Sequence, residues 1–480
     1  EIRPNDRALL IGAGPQTAPP CEYFQGEIAE VLLYDRALDV RQRGQVREYL
    51  ARRYAIELSD DQPVNVVSDN GYLPITVANP ATPQTRTLTA AQAEAALERD
   101  WLFQAGGSAS PERALAEIGW ARQLARRLER MPGGPSLVDE RAELDALEQR
   151  LRSREAPAPP AVGELYLAVR RVKRNIAFKN PALDFSRVLF IDQPYPAGPE
   201  ARHEAVHRLG HRAVPGGRLL VLDGLHPGGR VRKLAPDRPG SFWRADLSFD
   251  ARRVVFCYKA HDGKAFHLYE TDLNGSPPRQ LTDGDYDDVD PIYLPDGHIF
   301  ITSTRGNTYV RCGPYIYSHV LARCDPPAGR QAPDGRNVYL ISQNSEPDFV
   351  PALLNDGRVI YSRWEYSDKD QNRVQSLWTT NQDGTATAAF WGNQSVWPDH
   401  LAEPMPIPGS RRVMFAAVGH HDWFTGSIGI VDGDRGTNYP DGLTRVTWDV
   451  PWPEVGAGPA DRPEAADYHP AGRYTSYKTP

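Results

Sequence analysis

The rhythm of apolar and polar positions changes three times along this 480-residue chain. From Phe24 to Tyr34 apolar and polar residues alternate, the period-two pattern of a strand with one buried face, and Asp35-Arg36 then turns the chain. Leu38 to Tyr54 follows with Val46, Leu50 and Tyr54 at helical spacing. Residues 58–100 are polar, rich in Pro and Thr and without period, so 58–109 reads as a linker. Residues 110–180 read as a short helical section. Ser110 is placed to cap a helix whose first residue is Pro111, and Leu115, Ile118, Ala121, Leu124 and Leu128 form its apolar face. A second helix is predicted near 137–153 on Leu144, Leu147 and Leu151, and a third near 162–178 on Leu165, Val169, Val172 and Ile176. Residues 186–480 change to short runs of β-branched and aromatic residues between turns.

Those runs repeat. The segment "DLSFDARRVVFCYK" recurs as "DPIYLPDGHIFITS", "DFVPALLNDGRVIYSRW" and "PMPIPGSRRVMFAAV". Each copy has an apolar lead-in, a tight turn and a strand. The turn anchors Asp250, Asp296, Asp356 and Gly409 stand 46, 60 and 53 residues apart. A period near fifty with several strands per unit is the signature of propeller blades. With the earlier unit "GGRLLVLDGLHPGGRVRKL", the pattern predicts a mainly β chain ending in a β-propeller of at least five blades, incomplete at residue 480.

Composition narrows the function. Forty-three prolines, forty glycines and three methionines fit strands and turns better than long helices. A net charge of −7 leaves no overall basic footprint, so nucleic acid is not expected as a partner. "RRVKR" at 170–174 reads as a solvated helix face. No apolar run approaches the ~18 residues of a membrane helix. The chain opens and closes in mid-pattern and reads as part of a longer protein whose targeting signal lies outside it. Its four cysteines, Cys21, Cys257, Cys312 and Cys324, include no C-x-x-C, which excludes a zinc ribbon and covalent c-type haem attachment within this piece. Tyr315 to Arg323 alternates like one strand, about 30 Å long. Cys312 and Cys324, at its two ends, are therefore not expected to pair, because a disulfide needs Cα atoms within about 7 Å.

Two family resemblances follow from these segments. "YFQGEIAEVLLYDRALD" and the helix after it resemble the closing strand and terminal helix of laminin-G-like (concanavalin A-like) jelly rolls, over residues 1–57. From about residue 160, "RVLFIDQPYP", "GGRLLVLDGL", "SFWRADLSFDARRVVFCYKA", "YETDLNGSPPRQLTDGDYDDVDPIYLPDGHIFITSTRG", "LWTTNQDGT" and "GHHDWFTGSI" resemble the TolB-like propeller that is the middle domain of hydrazine synthase alpha subunits. The resemblance implies a periplasmic or secreted propeller within a multidomain chain, partnered by its other domains and by a protein or glycan. It does not bring the chemistry, because that activity depends on covalent haem and an associated zinc, and no C-x-x-C-H is present here.

Three constellations are candidates for chemistry. "HEAVHRLGH" fits H-E-x-x-H, with His203 and His207 one helical turn apart as zinc ligands, Glu204 as the general base of a zinc hydrolase and His211 one turn further. The predicted helix is short, and the third histidine of the longer metzincin pattern would fall at Ala213. A packing helix or a simple metal site is therefore the better reading. "TDGDYDDVDP" offers Asp283, Asp285, Asp287, Asp288 and Asp290, with a structural turn preferred over calcium because the spacing is not that of an EF-hand. His420 and His421 follow the strand "RRVMFAAV", and Cys312 precedes its own strand. At a propeller funnel these groups would suit zinc or another divalent metal. The leading expectation is an extracytoplasmic binding or scaffold module with a metal held near the funnel by His203, His207 or His211, Cys312 and His420 or His421. The alternatives are a zinc-dependent hydrolase and carbohydrate binding through the jelly-roll remnant.

Overall fold

A computed structural model describes residues 40–54, 89–153, 159–193, 216–235, 240–260, 263–310, 313–329, 331, 333, 337–365, 375–395, 397–398, 400–419, 426–447, 477 and 479–480. The chain divides into two compact units, residues 1–62 and 63–480. In the first, the described residues form one helix, α1 (Val40–Tyr54), beginning two residues after the predicted start. The predicted strand Phe24–Tyr34 lies outside the described residues.

In the second unit, a helix lies in the segment read as linker. α2 (Ala90–Gln104) follows a capping box, in which Thr89 Oγ1 accepts from Gln92 N and Gln92 Oε1 accepts from Thr89 N. Its alanine-rich sequence has high intrinsic helix propensity, which outweighs the polar composition. α3 (Pro111–Glu129) starts as expected, with Ser110 Oγ accepting from Arg113 N at 3.2 Å. α4 (Val138–Leu151) and α5 (Pro159–Phe178) complete the section. Ile118, Leu128, Leu144, Leu147, Val169, Val172 and Ile176 share one core, and the Tyr166 hydroxyl donates to Trp101 O at 2.8 Å, tying α5 to α2.

The basic run on α5 is solvated in part, with Arg171 exposed, and in part engaged within the protein. Buried Glu117 of α3 accepts from Arg113 (3.1 Å), Arg170 (3.2 Å) and Lys173 (2.7 Å). Arg171 pairs with Glu98, and Arg174 donates to Leu225 O at 3.1 Å. A carboxylate taken out of water needs such partners, and the spacing of the basic residues on α5 supplies them.

Five antiparallel meanders follow. The first holds β1 (Arg187–Asp192), β2 (Arg218–Asp223) and β3 (Arg230–Ala235). The second holds β4 (Gly240–Leu247), β5 (Arg253–Ala260), β6 (His267–Asp272) and β7 (Arg279–Gln280). The third begins with β8 (Asp288–Tyr293) and β9 (Ile299–Ser303). A two-stranded hairpin, β10 (Tyr309–Val310) and β11 (Gly313–Tyr317), interrupts it before β12 (Val320–Cys324) and β13 (Val338–Leu340) complete the sheet. The fourth holds β14 (Asp348–Leu353), β15 (Val359–Trp364), β16 (Gln375–Thr380) and β17 (Ala388–Trp391). The fifth holds β18 (His400–Pro406), β19 (Arg412–Val418), β20 (Ser427–Asp432) and β21 (Leu443–Arg445). One parallel pair, Gln375 with His400, joins the last two.

The single strand expected from Tyr315 to Arg323 is two strands. Ser318 N donates to Thr308 O (2.8 Å) and His319 O accepts from Asp348 N (2.9 Å), so the backbone there bonds outside the ladder. Cys257 and Cys324 are free and buried, and Cys312 lies outside the described residues.

Consecutive meanders pack face to face. Val221, Phe242 and Phe256 join the first to the second, and Val255, Leu268, Tyr293 and Ile301 join the second to the third. Phe300, Leu321, Val359 and Tyr361 join the third to the fourth, and Ile360, Trp391, Leu401 and Phe415 join the fourth to the fifth. The first strands β4, β8, β14 and β18 each carry a bulge, at Trp243-Arg244, Asp290-Pro291, Val350-Pro351 and Glu403-Pro404. Asp290, Val350 and Glu403 have φ of 55°, 46° and 53°, uncommon for residues with a side chain and most strained for β-branched valine. Trp243 Nε1 donates to Asp290 Oδ1 (2.6 Å), Val350 N donates to Asp290 Oδ2 (3.1 Å), and Arg244 Nη1 donates to Glu403 Oε2 (2.7 Å). The second meander thus touches the fifth, and the first strands meet along a common axis.

Candidate functional site

The two ends of the meanders differ. At one end, first and second strands are joined by residues 248–252, 294–298, 354–358 and 407–411, five residues each. Asp250, Asp296 and Asp356 accept there from the backbone N–H two positions on, each at 3.1 Å, and Gly297 and Gly357 supply the left-handed φ. At the other end, second and third strands are joined by 261–266, 304–319, 365–374 and 419–426, which are 6, 16, 10 and 8 residues long, and the 25-residue connection 193–217 between β1 and β2 returns to the same end, where Gly216 N and Gly217 N donate to Gly240 O at the start of β4. Uniform turns at one end and unequal loops at the other are how a scaffold carries a variable surface.

The unequal end is also where ionisable side chains are buried. Lys259, His319, Glu346, Asp348, Gln375 and His400 all lie at strand ends or loops there and are almost fully covered. Asp348 accepts from Ser342 Oγ (2.7 Å) and Asn344 Nδ2 (3.4 Å), with Arg363 Nη1 at 3.6 Å. Burial raises its pKa to about 6, although Arg363 and the two hydrogen bonds work in the opposite direction. The rings of His400 and Phe349 lie 5.7 Å apart.

A second group lies between the second and third meanders. Asp288 receives Arg305 through both oxygens (3.1 and 2.7 Å) and Ser303 Oγ at 2.7 Å. Asp287 accepts from Phe266 N at 2.8 Å, and burial pushes its pKa up to about 7 against the pull of Lys259. Burial lowers the pKa of His267, which favours the neutral ring. Asp290 is taken up by Trp243 and Thr302. Asp287, Asp288 and Asp290 of the acidic run therefore hold the fold through their own hydrogen bonds, in line with the structural-turn reading.

His203, Glu204, His207, His211, Cys312, His420 and His421 all lie outside the described residues. The described strands on either side show what their segments connect. His203 to His211 fall between β1 and β2, Cys312 between β10 and β11 within the β9–β12 connection, and His420 and His421 between β19 and β20. Among the described residues, no group of three or more His, Cys, Asp or Glu side chains can hold a metal ion. The two described thiols are also unsuited to one: burial raises the pKa of both, Cys257 to about 12. The described residues therefore do not fit a zinc centre.

Sequence reasoning missed the buried set His319, Glu346, Asp348 and His400 and the axial pair Arg244 and Glu403. A signal for part of it is present. D-x-x-P recurs at 288–291 and 348–351, and Glu403-Pro404 occupies the same bulge as the Asp-Pro and Val-Pro pairs.

Successive face-to-face antiparallel meanders, with first strands on one axis, define a propeller-type β protein. No protein-family model and no curated protein matches the chain. Among solved structures, it is similar to hydrazine synthase from Kuenenia stuttgartiensis at 17% identity, covering 55% of this chain and 39% of that one, with a TM-score of 0.45. It is similar to TolB from Acinetobacter baumannii at 13% identity (58% and 69% covered, TM-score 0.27) and to a structure of the nidogen/laminin complex at 12% (54% and 93%, TM-score 0.32). The chain thus spans well under half the length of the hydrazine synthase chain. The fold assignment rests on the strand order and packing, not on these superpositions.

Proposed function

We propose that the chain is a β-propeller binding module of a longer extracytoplasmic protein of the hydrazine synthase alpha type, and that its ligand-contacting face is the end bearing the unequal loops. One observation carries the reading. Ionisable side chains are buried at that end, whereas the buried polar groups beside the five-residue turns, Ser248, Thr271 and Thr380, are hydroxyls. Burying such groups is costly unless partners are supplied, so their concentration at one end marks a surface arranged for more than stability.

The test is a thermal-shift screen of the full chain against small polar compounds and divalent metals, with hits repeated on two variants. Changing His400→Ala with Glu346→Gln should abolish the shifts, and Asp356→Asn with Asp383→Asn at the turn end should leave them intact. Shifts lost only in the turn-end variant would refute the assignment.

A metal at the same face is a second reading, favoured because all six candidate ligands fall in the long, unequal connections and none in a five-residue turn. His203, His207, His211, Cys312, His420 and His421 would be its ligands, and Glu204 would be the base if the site hydrolyses. Stoichiometric zinc in the purified chain, lost on His203→Ala with His207→Ala, is the expected result. Absence of zinc after reconstitution removes both the metal and the hydrolase readings.

A further inference from the structure

β1 stands where the other meanders place their second strand. Its connection to β2 returns to the loop end, and the residue just ahead of β2 bonds the opening of the next first strand, as in the later meanders. Gly217 N donates to Gly240 O (2.9 Å), Phe266 O accepts from Asp288 N (3.0 Å), and His319 O accepts from Asp348 N (2.9 Å). The second strands β5, β9, β15 and β19 each pair with a first strand on one edge, whereas among the described residues β1 pairs only with β2. Burial follows the pairing. β9 is wholly buried and β5, β15 and β19 nearly so, but Val188, Leu189, Phe190 and Ile191 are all half-buried.

Gly224 N donates to Ser186 O at 2.9 Å, so these two residues form a hydrogen-bonded pair, and antiparallel alternation puts Val188 and Phe190 in the next ones. The N–H and C=O groups of Arg187, Leu189 and Ile191 then point away from β2, and none of them meets a partner among the described residues. Native sheets blunt an open edge with charge, proline or brevity. The outer edges here do so: β3 carries Arg230, Arg232 and Lys233, and β7 and β21 have two and three residues. β1 instead presents Val-Leu-Phe-Ile with neither charge nor proline, an edge suited to pairing.

The other meanders show what fills that position. Three of their first strands carry a residue of left-handed φ followed by proline, at Asp290-Pro291, Val350-Pro351 and Glu403-Pro404. Thr479-Pro480 repeats the device with φ of 54°, and Tyr477, two residues before it, exchanges both backbone bonds (2.8 Å each) with Gly426, just ahead of the third strand β20. First strands therefore continue after the fifth meander, and the one opening at Tyr477 bonds there and not to β1.

Resting on the reading of the chain as a module of a longer protein, we propose that the open edge of β1 is a strand acceptor, filled by an extended segment of the first-strand type that the longer protein supplies from outside these 480 residues. Main-chain bonds to Arg187, Leu189 and Ile191 supply the affinity, and alternate side chains set the register.

Hydrogen exchange of the full chain, with and without synthetic peptides matching β4, β8, β14 and β18, tests this. In the free chain the Leu189 and Ile191 amides should exchange about tenfold or more faster than those of Val188 and Phe190. At least one peptide should slow them by about tenfold, and its N-methylated form, which has no N–H to donate, should not. Leu189→Pro removes one edge donor where an edge strand tolerates proline, and should abolish the slowing at Ile191 while circular dichroism stays that of the wild type. The proposal is overturned by edge amides as slow as their neighbours in the free chain, by no slowing with any peptide, or by equal slowing with the N-methylated form. Protection that grows with chain concentration and no peptide would make a second copy the occupant and also overturn it. Slowing in a chain whose thermal-shift screen is silent leaves the acceptor and removes the ligand-contacting face, whereas thermal-shift ligands without slowing do the reverse.

Discussion

Removing Glu403 should cost the fold about 3–5 kcal/mol, although the residue lies on no helix and in no large apolar cluster. Its carboxylate is 1% exposed and receives Arg244, itself 9% exposed, at 2.7 Å across 159 residues of sequence. At about 4 Å between charges and an effective dielectric near 20, that attraction is worth ~4 kcal/mol. Burial works against the charge of Arg244, yet Glu403, then Asp290 and Asp246, more than offset it, so its pKa is raised. In Glu403→Ala the two aspartates still compensate part of the arginine's charge, and the loss should sit near 3 kcal/mol. In Arg244→Met, Glu403 and Asp290 lose their shared cation, and the loss should approach 5 kcal/mol. The double variant Arg244→Met with Glu403→Leu removes both charges and should recover most of the stability, since apolar replacement of a buried pair is often neutral. Urea denaturation followed by tryptophan fluorescence measures all four corners of the cycle, with Trp243 next to the pair as reporter. Single losses below 1 kcal/mol, or no recovery in the double variant, would show that the pair is not what holds the second meander to the fifth.

Three further outcomes are expected. Asp287 has a folded pKa of about 7 against an ordinary value of 3.8, so the folded state holds its proton more tightly and stability falls as pH rises from about 4 to 7. Asp287→Asn should flatten that slope in a melting-temperature series and leave the chain roughly 2–4 kcal/mol more stable at pH 8. A series with an unchanged slope would be inconsistent with this assignment. Glu117→Ala strips the shared anion from Arg113, Arg170 and Lys173 and should destabilise the helical section by about 3 kcal/mol, read from helical ellipticity, whereas a loss confined to the sheets would argue against it. Cys257 and Cys324, both buried with raised pKa, should be silent to a thiol reagent at pH 8 until the chain unfolds, and rapid native labelling of either would contradict their placement.

The sheets were legible because their signal is local. Alternation with a turn residue at each repeat names β4–β5, β8–β9, β14–β15 and β18–β19 without knowledge of their neighbours, and Ser110-Pro111 similarly announces α3. α2 was lost because its polar alanine-rich surface looks like a linker until the Thr89 and Gln92 capping box is given weight. The break at Ser318-His319 was invisible because it depends on bonds to Thr308 and Asp348, which alternation cannot see. The axial pair and the buried set at the loop end were illegible for the same reason. Arg244 and Glu403 become partners only when the meanders wrap round an axis, and neither residue type in isolation says that it is buried.

The five-residue turns act as a spacing gauge. Each fixes how far the second strand is set back against the first, so one added residue in 294–298 would slide β9 by one position against β8 and turn Ile299 and Ile301 from the interior toward water. The opposite connections set no such register, and already range from 6 to 25 residues. An inserted peptide epitope or small domain should therefore be accepted within 365–374 and rejected within the turns. Such tolerance at one end lets a single scaffold acquire new specificities by changes in loop length alone.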